Sequence, residues 1–184
     1  MAMAALPLVI GTQFIADRLI ILVAGQDFLE AGLILRVLIL AVAAIFLGNM
    51  MAHAIIAIKA QKKVIWIYVF TGITSLVAYL FLIPRFSYFG AAAVTIYSES
   101  AIALLSTIFI YRHLHFRLNL RGLLKSLAAS FLMGAVLWLL PDYFSASTLG
   151  LFLTIAIAAA AYLLFLRLFR VFTRADLKLM INKN

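Results

Sequence analysis

Six long apolar runs divide the chain, separated by short polar or basic connections. They cover about 4–24, 32–58, 64–83, 90–111, 122–140 and 148–169. Each is continuously apolar rather than alternating, which fits a helix buried on all sides and not a barrel strand. A helix needs about 20 residues to cross hydrocarbon. The pattern therefore predicts an all-α, polytopic membrane bundle of six transmembrane helices over residues 1–169, with a tail over 170–184. The second run is longer than a crossing needs, so it either tilts or begins in the interface.

The connections differ in sign. Twelve of the 15 Lys and Arg residues fall in three clusters: Lys59, Lys62 and Lys63; Arg112, Arg117, Arg121 and Lys125; and Arg167, Arg170, Arg174, Lys178 and Lys183. Between them lie connections carrying Asp27 and Glu30, Arg85 alone, or Asp142. Basic loops are retained on the cytoplasmic side during insertion. Segments 59–63 and 112–125 and the tail are thus expected inside, and 25–31, 84–90 and 141–147 outside, with both termini cytoplasmic. Trp66, Tyr68, Tyr88, Tyr111, Trp138 and Tyr143 fall near predicted span ends, as an aromatic belt requires. Thr173 and Asp176 have the spacing of a helix start. The tail is thus either a short helix on the inner leaflet or a frayed polar end.

Composition narrows the class further. Of the 184 residues, 67% are hydrophobic and 11% charged, against about a quarter charged in soluble domains. The net charge of +9 does not point to nucleic acid, because the cations flank apolar spans and no nucleic-acid motif is present. They are placed instead to meet anionic membrane lipids. Without Cys, and with three His in no ligand spacing, neither a metal site nor a cofactor is expected. No nucleophile elbow, P-loop, zinc box or catalytic carboxylate pair is present, so nothing argues for an enzyme.

Glu99 is the one acid in the middle of a span. It follows Gly90 by nine positions, about 13 Å along a helix. Thr95, Glu99 and Ser106 form one polar stripe. Either the carboxyl faces a cavity and takes up a proton, or it is hydrogen-bonded glue between helices. Arg36, near the outer start of the second span, either meets a substrate phosphate or an acid, or snorkels to the headgroups. Asn49 and His53 share a face of the same span, about 140° around from Arg36. His53 is either a packing residue or a proton carrier. Asp17 and Arg18 point to different faces and are expected in the outer interface. Thr71, Thr74, Ser75 and Ala78, the pair Ser130 and Gly134, and residues 156–161 are close-packing surfaces.

Residues 83–99, IPRFSYFGAAAVTIYSE, resemble a recurring segment of the multidrug/oligosaccharidyl-lipid/polysaccharide flippase superfamily. There a span ends in Ile-Pro, a turn follows, and Gly-Ala-Ala opens a helix that often reaches a Glu. Upstream, LIILVAGQDFLEAGLILRVLIL is similar to that family's Gly-x-x-Phe turn and helix with an early Arg, here Arg36. IAIKAQKK resembles its basic loop and FTRADLK its tail. The resemblance is good over residues 6–112 and moderate in the tail. The fifth and sixth spans match in hydropathy alone. Ser87 stands where the family usually has Gly.

The resemblance implies the C-terminal part of a 14-helix flippase of the polysaccharide or O-antigen type. Such proteins move a polyprenyl-diphosphate-linked oligosaccharide across the bacterial inner membrane without covalent chemistry. It also implies that earlier spans, or another membrane subunit, complete the path. Glu99, Arg36, Asn49, His53 and Thr95 are the candidate path residues. The absence of a basic segment before the first span fits a chain cut from a longer protein. The rival expectation is a six-helix membrane interaction module without transport. A membrane-bound glycan enzyme is a third, without catalytic residues to carry it.

Overall fold

A computed structural model describes residues 2–114, 120–140 and 147–169. Five helices make up this structure: α1 (Ala2–Ala24), α2 (Glu30–Ala57), α3 (Gln61–Leu114), α4 (Leu120–Leu139) and α5 (Thr148–Leu168). All five are long and apolar enough to cross a bilayer. The described residues are all-helical, with the long apolar helices of a membrane-embedded protein. The proposed tail helix after Thr173, residues 115–119 of the 112–125 connection and residues 141–146 of the 141–147 connection lie outside the described residues.

Helix α3 is two helices in one. At 54 residues it would run about 80 Å if straight, far more than a bilayer needs. It is interrupted at Ser87, whose φ of 50° and ψ of −130° are not helical. The two halves then double back on each other. Tyr79 Oη lies 3.1 Å from Thr95 Oγ1, and Tyr97 Oη donates to Thr74 Oγ1 at 3.2 Å. In a straight helix Tyr79 and Thr95 would stand about 24 Å apart. Pro84 weakens the helix just ahead of the turn by removing a backbone donor. Gly90 lets the returning strand of helix pass tightly: a Cβ there would collide with the Leu82 carbonyl and stand 3.2 Å from the Ile83 nitrogen.

The packing order follows from which helices touch. α1 contacts α2, α4 and α5, while α3 packs on α2. One cluster joins α4 and α5 through Ala129, Met133, Leu137, Ala158 and Tyr162, with Ile10 of α1 against it. A second joins the end of α2 to both ends of α3 through Met51, Ile55, Val64 and Ile110. Small residues make these approaches possible, because close backbone packing replaces the hydrophobic drive that lipid removes. A Cβ on Gly134 would lie 2.9 Å from Ile10 Cγ2. Thr71, Ser75 and Ser130 are buried, as expected for close-packing surfaces, and Ser126 joins them; of residues 156–161, expected to pack in the same way, Ala158 alone is buried. Tyr162 Oη donates to the Met3 carbonyl at 2.5 Å and so ties α5 to the start of α1.

Local sequence explains the helix ends. Ser147 caps α5, its hydroxyl accepting from the Gly150 N–H at 3.1 Å. The end of α2 is closed by a paired backbone motif: Ala60 N–H to Ile55 O at 3.0 Å and Lys59 N–H to Ile56 O at 2.9 Å. At the other end of α2, Tyr88 Oη donates to Glu30 Oε2 at 2.9 Å, clasping the Ser87 turn to the first turn of α2.

Candidate functional site

The predicted path residues fall into two groups at different depths. The first lies where α2 crosses the second half of α3. A Cβ on Gly48 would sit 3.8 Å from Ala103 Cα, and seven residues further along each helix Ile55 and Ile110 share a cluster. The two segments therefore run parallel in a common register. By that register Glu99 is level with Ala44, so Asn49 lies about 8 Å and His53 about 14 Å deeper.

Glu99 is half-buried, while Asn49 and His53 are exposed. No hydrogen bond or ion pair to any of the three is present among the described residues. Thr95 is differently placed. Its hydroxyl donates to the Ala91 carbonyl at 3.0 Å, so the Tyr79 phenol must be the donor in their contact. Ser98 likewise returns its hydroxyl to the Thr95 carbonyl at 3.0 Å. Of the polar stripe Thr95, Glu99 and Ser106, Thr95 alone is engaged within the hairpin. Glu99, and the fully buried Ser106 hydroxyl, are left over.

Arg36 belongs to the second group, about 12 Å nearer the Ser87 turn than Glu99 by the same register. Its Nη2 lies 2.7 Å from Asp17 Oδ2. Gln13 Nε2 donates to the Arg36 carbonyl at 3.0 Å. Gly32 makes room for this pair: a Cβ there would collide with Asp17 Oδ1 and stand 3.2 Å from Asp17 Cα. Of the roles open to Arg36, the structure selects pairing with an acid over snorkelling. Asp17 correspondingly faces α2 rather than the outer interface. Arg36 Nε remains buried without a partner among the described residues.

The pairing of Asp17 with Arg36 was the feature that sequence inspection missed. The available signal was depth. Asp17 lies seven residues before the end of α1 and Arg36 six after the start of α2, so the two charges meet wherever the helices are antiparallel neighbours.

An apolar cavity of about 460 Å³ opens between α1, α4 and α5, bordered by Pro7, Gly11, Met133, Ala158 and Tyr162. Among the described residues no group of three His, Cys, Asp or Glu is placed to hold a metal ion.

No family model, curated protein or solved structure matches this chain.

Proposed function

We propose that this protein is the C-terminal part of a transporter that flips polyprenyl-diphosphate-linked oligosaccharide across the bacterial inner membrane. In this reading each half of α3 crosses the bilayer, giving six crossings with both termini in the cytoplasm. The observation that carries it is Glu99, an acid at mid-span with no partner among the described residues, with exposed Asn49 and His53 about 8 and 14 Å further along α2. Polar groups at that depth are costly against lipid. They are retained where a hydrated path or another helix meets them. Glu99, Asn49 and His53 then line the path, and Thr95 positions the hairpin that carries Glu99. Arg36 sets the angle between α1 and α2, and its buried Nε is the second candidate contact for a phosphate. The cavity beside α1, α4 and α5 suits an apolar chain.

The path is completed by further transmembrane segments, and no covalent step is involved. Deleting the gene in its host should abolish surface polysaccharide and accumulate the lipid-linked oligosaccharide on the cytoplasmic leaflet. Normal polysaccharide with no accumulated intermediate would refute the assignment.

A second reading is favoured by the same exposed pair. Asn49 and His53 on one lipid-level face suit docking against a partner helix, so the bundle serves as an interaction module without transport. Copurification of a stoichiometric membrane partner from a host whose polysaccharide is unaffected by deletion would select it.

A further inference from the structure

Lys59, Lys62, Lys63 and Arg112 meet at one corner of the bundle. Ala60, Val64 and Ile110 share a buried cluster, so the turn bearing the three lysines abuts the end of α3 that bears Arg112. All four cations are exposed. None has an ion-pair or hydrogen-bond partner among the described residues. The acids with described positions, Asp17, Asp27, Glu30 and Glu99, all lie elsewhere. The placement is also unfavourable for the protein alone. Lys59 closes α2 with φ at 54°, where glycine is unstrained. Lys62 and Lys63 occupy the first turn of α3, which contains no acid, against the positive end of the helix dipole.

An apolar track leads away from this corner. Trp66 stands one turn beyond Lys62 and Lys63 and is 73% exposed. Val69, Phe70, Ile73, Val77 and Leu80 continue the exposed face at helical spacing. A cationic head, an interfacial Trp and an apolar strip are thus stacked in the order of a phospholipid's own parts.

We propose that this corner is a binding site for an anionic phospholipid of the adjoining leaflet. Its headgroup phosphate sits among Lys59, Lys62, Lys63 and Arg112, and its acyl chains lie along the Trp66–Leu80 face. General attraction of basic loops to a charged surface selects no such place. This inference requires only that the bundle be embedded in a membrane, and it stands or falls separately from the transport reading.

The test uses the full chain with Trp138→Phe, which leaves Trp66 as the one tryptophan. The protein is reconstituted in phosphatidylcholine nanodiscs containing increasing fractions of phosphatidylglycerol with brominated acyl chains, and quenching of Trp66 is read against brominated phosphatidylcholine. Phosphatidylglycerol should be preferred. The triple change Lys59→Gln, Lys62→Gln, Lys63→Gln should remove about fivefold of that preference per lysine. The triple Lys→Arg variant should keep it. Lys125→Gln with Arg167→Gln, which removes exposed cations of α4 and α5, should also keep it. Inorganic phosphate at millimolar levels should not compete, since it lacks the chains. Equal quenching by both lipids would overturn the site. So would equal losses in the lysine triple and the α4/α5 pair, loss in a helical Lys→Arg variant, or displacement by free phosphate.

Discussion

Tyr79 donates its phenol to Thr95 across a gap of sixteen residues, at 3.1 Å. That one bond requires the chain to reverse between them, at the 84–90 connection that separates the third and fourth apolar runs. The reversal rests on Ser87, whose φ of 50° and ψ of −130° belong to glycine's territory. A residue with a Cβ held there costs about 1–3 kcal/mol.

Ser87→Gly should therefore stabilise the protein, by about 1 kcal/mol after glycine's extra unfolded-state entropy is subtracted. Thermal unfolding in detergent measures this. A lower midpoint for the glycine variant would argue that the turn is not strained. Ser87→Pro, which cannot take positive φ, should break the hairpin outright.

Gly32→Ala should push α1 and α2 apart, since the new methyl meets Asp17 backbone as well as its carboxylate. The expected loss is about 1–3 kcal/mol. Asp17→Asn keeps the shape but leaves Arg36 uncompensated. Both side chains are about a third or more exposed, at 34% and 41%, so water screens the pair. A double-mutant cycle with Arg36→Gln should give a coupling of about 1 kcal/mol, and zero coupling would mean the contact is not formed.

Glu99→Gln should leave stability within about 0.5 kcal/mol, because no described partner is lost. On the transport reading it should also impair translocation of a fluorescent lipid-linked oligosaccharide. A large loss of stability with normal transport would assign Glu99 a structural role instead.

Orientation is open to direct labelling, because the chain contains no Cys. On the proposed topology, Cys at Gln26, in the connection between α1 and α2, and at Ser87 should react with an impermeant maleimide added to intact cells. Cys at Gln61 should react only after permeabilisation. Labelling of Gln61 alone in intact cells would invert the topology.

The helices were legible because lipid imposes a simple code: apolar length sets each span, and Pro84, Gly90 and Ser147 punctuate it. The close-packing surfaces were legible too, since Ser130, Gly134, Thr71 and Ser75 are small where helices must touch. Rotation was not. Whether Arg36 faces lipid or Asp17 depends on the angle of α2 about its own axis, which Gly32 sets through a contact between helices. The same holds for Glu99, whose surroundings follow from the Gly48–Ala103 crossing. Lys59 hid its strained backbone because a lysine in a basic loop needs no other explanation.

The turn at Ser87 also carries a parity. A helix that ran on from Gln61 to Leu114 would deliver the chain to the opposite face of the membrane. One that reverses returns it to the face it left. Everything downstream inherits that outcome: the sidedness of α4 and of α5. A single pair of backbone dihedrals thus acts as an inverter, and its setting decides which compartment meets the C-terminal half of the molecule.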